Sequence, residues 1–159
     1  MNTFMAEQPQ IELIGICTRT TNAEEAGPRG KLPGLWEAFF RSGLTPAAGV
    51  AGPQRVYALY TDYEDGVNGA YTVLIGCEAQ QEGTPNDGFL YAVIPAGRYK
   101  VFTSDRGAAH EVVPRAWAEI WDYFKEAPDE RTYTGDYEVY DSTQDGSGVV
   151  EVQIYIAVK

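Results

Sequence analysis

Leu32–Ser42, read as LPGLWEAFFRS, decides the fold, because the chain repeats its pattern further on. Leu32, Leu35, Trp36, Phe39 and Phe40 recur at three- and four-residue spacing, the mark of an amphipathic helix. Pro33 suits the first turn and Gly43 the stop. A second such helix is predicted over His110–Phe124, with Pro114 near its start and Val113, Trp117, Ile120, Trp121 and Phe124 on one stripe. Pro33, Trp36 and Phe40 fall on Pro114, Trp117 and Trp121 at one constant offset. The strands follow suit. Tyr57 and Tyr60 match Tyr137 and Tyr140, and Val73 and Ile75 match Val152 and Ile154.

Outward from the helices, strands are predicted at Ile11–Thr18, Arg55–Tyr63, Tyr71–Ala79, Tyr133–Asp141 and Val149–Val158. Phe89–Thr103, broken at Pro95-Ala96-Gly97, gives one bent strand or two short ones. Arg55–Tyr63 and Tyr71–Ala79 form a hairpin around Glu64–Gly69. Asn22–Lys31, Leu44–Pro53 and Gln144–Gly148 read as loops or turns, Pro128 ends the second helix, and Gln80–Gly88 divides the halves. The reading is α+β: a β-α-β-β unit, about residues 10–80, duplicated over about 89–158, within one domain spanning 1–159. One three-stranded sheet with a single helix buries too little alone, so two copies pack together. Two antiparallel sheets with helices, related by a pseudo-twofold axis, leave a ligand cleft at the seam.

Composition excludes several functions. The 159 residues are 44% hydrophobic and 22% charged, as in an ordinary globular chain. A net charge of −11 disfavours nucleic acid and anionic membranes. No apolar run approaches the roughly 20 residues that span a bilayer, and Met1–Gln10 lacks the pattern of a signal peptide, so a cytoplasmic location is expected. Cys17 and Cys77 read as buried free thiols. No metal-ligand spacing occurs, and no metal or other cofactor is expected.

Within Tyr133–Asp141 (YTGDYEVYD), strand alternation puts Asp136, Glu138 and Tyr140 on one face and Tyr137 and Val139 on the other. Glu138 is the anomaly. A carboxylate among tyrosines is costly to bury without a partner, and a cation from outside would supply one. Exposed, it would be an ordinary solvated residue. Likewise Trp36, Trp117 and Trp121 read equally as core stripe or ligand platform. Tyr155 lies on the less apolar face of its strand, with Glu151 and Gln153, which favours a cleft.

The repeated unit, the LPGLWEAFF helix and the Tyr-Glu-Val-Tyr strand resemble the GyrI-like effector-binding domains of AraC- and MerR-type bacterial regulators, a SOUL/GyrI-like fold. Free-standing integron cassette proteins that bind cationic drugs are especially similar. Arg19–Asn22, Val56–Glu64, Tyr71–Gly76 and Ile94–Tyr99 carry that similarity. The resemblance implies a multidrug-type pocket at the seam, holding amphipathic cationic aromatic molecules against a buried glutamate. The family's late-strand glutamate falls on Glu138, and its aromatics on Tyr155, Tyr71 and Trp36. Trp117 and Tyr57 follow by repeat symmetry and strand position, and Tyr140 neighbours the carboxylate. Regulators of this type join the domain to a helix-turn-helix. Here the domain begins by residue 11, so this chain is not expected to be the DNA-binding half.

Two functions compete. The favoured one is a stand-alone binding protein for small amphipathic or cationic ligands. The alternative is a GyrI-like hydrolase of strained electrophiles such as cyclopropanoids, with Glu138 as base and Tyr140 or Tyr155 orienting water. No independent catalytic motif supports an enzyme, and no catalytic residue is assigned. The charge permits a protein partner, a separate regulator or gyrase, without specifying one. Haem binding, known in SOUL-type folds, would rest on His110 alone.

Overall fold

The computed structural model describes residues 3–42, 55–66, 68–79, 89–127, 130–141 and 149–159. Leu44–Pro53, Gln80–Gly88, Gln144–Gly148 and Pro128 lie outside them. In chain order the elements are β1 (Thr3–Gln8), β2 (Ile11–Thr21), α1 (Asn22–Glu25), α2 (Leu32–Arg41), β3 (Arg55–Thr61) and β4 (Ala70–Glu78). Then come β5 (Leu90–Ile94), β6 (Gly97–Thr103), β7 (Gly107–Ala108), α3 (Ala109–Lys125), β8 (Asp136–Asp141), β9 (Val149–Val150) and β10 (Gln153–Val158).

Instead of two separate sheets, the halves join edge to edge. One eight-stranded antiparallel sheet runs β1-β6-β10-β8-β3-β4-β2-β5, with β7-β9 a small second sheet. The order reads alike from either end: β6, β10 and β8 correspond to β2, β4 and β3. Its outer strands are exchanged. β1 precedes β2 in the chain but pairs with β6, while β5 precedes β6 but pairs with β2. The two halves meet at β3–β8, where Ala58 faces Glu138. Under the offset that matches Tyr57 and Tyr60 with Tyr137 and Tyr140, Ala58 and Glu138 are equivalent. The pseudo-twofold axis therefore passes between them.

The exchange forces the sheet to roll. Only Pro95 and Ala96 separate β5 from β6, so Ile94 and Gly97 lie within about 11 Å. Six strand spacings of a flat sheet would part them by about 29 Å. Rolling closes one face around Leu13, Tyr57, Leu59, Leu74, Ile94, Tyr99 and Tyr137. The other face carries α2 over Val56, Ala58, Val73 and Ile75, and α3 over Phe102, Ile154 and Ile156.

Several sequence boundaries move. β2 runs on to Thr21, through Arg19, which is exposed, and Thr20, which is buried and whose hydroxyl donates to Glu25. Asn22–Glu25, read as loop, is one helical turn capped by the Thr21 hydroxyl. Tyr133 and Gly135 have positive φ, so β8 starts only at Asp136. The strand read across Val149–Val158 divides in two, where Ser104 takes up both the Val152 amide and carbonyl. Cys77 is buried, but Cys17, read as buried, is exposed.

Candidate functional site

A cavity of about 410 Å³ opens on the helical face, between the first turn of α2 and the middle of α3 and above β3, β4 and β8. Period-two alternation aims Tyr60, Tyr71 and Glu138 at it. Pro33 and Pro114, the repeat-matched residues of the two helices, both stand in its wall. Trp117 and Trp121 continue the wall along α3.

Glu138 forms part of the lining and is 1% exposed. Three donors converge on its carboxylate. Trp117 Nε1–H donates to Oε2 at 2.6 Å, the Tyr60 hydroxyl to Oε2 at 3.0 Å, and the Tyr140 hydroxyl to Oε1 at 2.7 Å. Burial raises the carboxyl's pKa above its ordinary 4.5, outweighing the three hydrogen bonds that favour the anion. The surrounding tyrosines shift too. Burial, then the charge of Glu138, pushes the Tyr60 and Tyr140 hydroxyls well above their usual range, so both remain donors.

The donors obey the repeat. Tyr60 and Tyr140 are equivalent, and each is packed by the tryptophan of the opposite half. Trp117 lies 5.2 Å from Tyr60 between ring centroids, and Trp36 lies 4.9 Å from Tyr140. Symmetry breaks at the centre, where one half has a carboxylate and the other the methyl of Ala58. Aromatic rings extend from that point: Tyr71 is 5.7 Å from Tyr60, Tyr63 is 5.9 Å from Tyr71, and Trp121 is 6.2 Å from Trp117. The Tyr71 hydroxyl donates to Asn22 Oδ1 at 2.9 Å, tying β4 to α1. Glu25 of α1 accepts from the Lys31 and Leu32 amides and so caps α2.

Of the seven residues singled out in the sequence, Glu138, Tyr71 and Trp117 line the cavity. Tyr140 supports the carboxylate from behind, and Trp36 supports Tyr140. Tyr57 and Tyr155 are elsewhere. Both lie on the rolled interior face, where Tyr155 stacks parallel on Tyr137 at 4.5 Å. The reason is register: Ile154 stands opposite Glu138, so Tyr155 points the other way. The less apolar face of that strand packs against a tyrosine-lined interior. Tyr60, Tyr63, Asn22 and Arg131 were missed. Tyr60 carried a signal as the repeat partner of Tyr140, and Tyr63 and Asn22 lay within the stretches Val56–Glu64 and Arg19–Asn22 that carry the family similarity. His110 is exposed at the start of α3.

The rolled, duplicated α+β fold with a cavity over the seam is that of the GyrI-like effector-binding proteins. Residues 5–158 match the Cass2 family, described as integron-associated effector binding proteins, and the chain belongs to that family. An integron cassette protein from the mobile metagenome of Vibrio cholerae is 32% identical, with a TM-score of 0.79 over 99% of this chain and 95% of that one. YobU of Bacillus subtilis (strain 168), named as a transcriptional regulator, is 33% identical over 146 residues, 91% of this chain and 90% of that protein. SAV2435, solved bound to tetraphenylphosphonium, shares the fold at 18% identity, with a TM-score of 0.78 over 100% of this chain and 94% of its own. Among the described residues no helix is long and apolar enough to cross a membrane.

Proposed function

We propose that this protein captures amphipathic aromatic cations in the cavity on its helical face, with Glu138 as the anionic anchor. The observation that carries the reading is a carboxylate, 1% exposed, with three neutral donors and, among the described residues, no basic side chain as hydrogen-bond partner. Such a group is stabilised by an incoming positive charge, which water screens weakly at this depth. The faces of Tyr60, Tyr71 and Trp117 add roughly 0.5–2 kcal/mol per good cation contact. Membership of the effector-binding family supports small-molecule binding in general, and tetraphenylphosphonium in SAV2435 is a ligand of the same chemistry held by the same fold.

Binding is favoured over hydrolysis by the same hydrogen bonds. Both oxygens of Glu138 are engaged by protein donors, an arrangement that holds charge more readily than it abstracts a proton from water. Trp117 provides the probe. Titration with cationic dyes should quench tryptophan fluorescence with micromolar affinity, and Glu138→Gln should weaken binding about tenfold or more, about 1.4 kcal/mol. Equal quenching of the variant would remove Glu138 as the anchor, and turnover of the dye would favour the hydrolase.

A further inference from the structure

The charges in the cavity wall do not balance. Three lining residues carry charge: Glu25, Glu138 and Arg131. Arg131 is neutralised from behind by Asp136, Nη2 to Oδ2 at 2.6 Å, and both side chains of that pair are buried. Two carboxylate residues are left in the wall of one cavity, and cation capture by Glu138 uses one of them. The other, Glu25, belongs to α1 at the rim. It is half-buried, and its neighbours in the wall, Ala26 and Pro33, are exposed. A molecule at the mouth therefore meets Glu25 first, while Glu138 lies buried beyond it.

Like Glu138, Glu25 is held by neutral donors. The Lys31 amide donates to Oε2 at 2.8 Å, the Leu32 amide to Oε1 at 3.1 Å, and the Thr20 hydroxyl to Oε2. The Lys31 ammonium turns elsewhere, to the Arg19 carbonyl at 2.9 Å and to Glu24 at 3.8 Å. Among the described residues no basic side chain pairs with Glu25. Two tyrosines link the carboxylates. The Tyr60 hydroxyl donates to Glu138, and the Tyr60 ring lies 5.7 Å from that of Tyr71. The Tyr71 hydroxyl in turn donates to Asn22, in the same helical turn as Glu25. Burial, then the charges of Glu25 and Glu138, pushes the Tyr71 hydroxyl above its ordinary range, so this ring stands in the fields of both.

We propose that Glu25 is a second anionic station and that the cavity takes elongated aromatic dications, one charge met at depth by Glu138 and the other at the rim by Glu25. The rings of Tyr60 and Tyr71 lie against the body of the ligand between the two charges. The inference rests on the cation-binding reading above and narrows its ligand class. Depth separates the two stations in their response to salt: the rim charge is screened, and the buried one much less.

The test uses pairs of aryl compounds of equal size over a series of linker lengths. Each carries trimethylammonium at one end and either a second trimethylammonium or a neutral tert-butyl group at the other. Calorimetry on the wild-type protein at low salt should find a length at which the dication binds about fivefold tighter than its monocation, an advantage that shrinks at high salt. Glu25→Gln should bring this ratio to about twofold or less. Ala26→Lys, which sets a positive charge on the rim and leaves the α2 cap in place, should do the same. Ala38→Lys makes an equal change of net charge on an exposed part of α2 outside the cavity wall, and should keep the wild-type ratio. If Glu25→Gln fails to fold by circular dichroism, the two lysine variants decide. A ratio of about twofold or less at every length, an advantage that survives in folded Glu25→Gln or in Ala26→Lys, or one lost equally in Ala38→Lys overturns the second station and leaves cation capture standing. Failure of every compound to bind overturns both.

Discussion

Glu138 occupies the position that Ala58 fills in the other half, and each is the other's cross-strand partner. A duplicated chain has kept its aromatic pairs, Tyr60 with Trp117 and Tyr140 with Trp36, and varied the residue on the axis. The consequence is titratable. Folding raises the Glu138 pKa, so the native state holds this proton more tightly than the unfolded chain. The stability it contributes is fully present below the unfolded value near 4.5 and is lost as pH rises through the folded value. Urea denaturation should therefore find Glu138→Gln gaining on wild type as pH rises from 4, with the difference levelling off once Glu138 is ionised. Cation affinity should move the opposite way. It should strengthen with pH through the same window in wild type and stay flat in Glu138→Gln. A flat wild-type affinity profile from pH 4 to 8 would mean that the carboxylate and the ligand do not communicate.

Elements differ in how clearly the sequence announces them. Both long helices were legible because one buried face at 3.6-residue spacing writes itself into Leu35, Phe39, Ile120 and Phe124, although Phe40 and Trp121, read onto the same stripes, are exposed. β1 was not, since Thr3–Gln8 is a largely exposed edge strand on which no face demands apolar residues. The start of β8 was misread because Tyr133 and Gly135 look like strand residues while their backbones turn. β2 and β4 owe their fit to a detail that composition hides. Gly15 faces Gly76, and a Cβ on either would stand 2.1 Å from a carbonyl oxygen of the opposite strand. Gly76→Ala should therefore cost about 1–3 kcal/mol in urea denaturation, since strand backbone must shift to admit the methyl. An unchanged midpoint would show that the strands part without cost.

At the scale of the molecule, the duplication was readable and the exchange of outer strands was not. Repeat offsets reveal which segments are alike, but they carry no information on which edge a strand will join. The two-residue link between β5 and β6 then rolls the sheet, and rolling sorts the tyrosines. Tyr57, Tyr99, Tyr137 and Tyr155 turn inward, where burial pushes the Tyr57 and Tyr99 hydroxyls up to about 12. Tyr60, Tyr63 and Tyr71 line the cavity. Glu138 was legible because a carboxylate in an aromatic strand is anomalous wherever it occurs. Arg131 was not, because its partnership with Asp136 depends on a chain reversal that no local pattern records.

A matched pair of ligands tests whether the cavity selects charge through Glu138. An aryl trimethylammonium and its neutral tert-butyl isostere have the same shape and differ in charge alone. Calorimetry at neutral pH should give the cation at least tenfold tighter binding to the wild-type protein, with the preference collapsing to about twofold in Glu138→Gln. Equal binding of the two by the wild-type protein, or a preference that survives in the variant, would contradict the account and leave an aromatic cavity indifferent to charge.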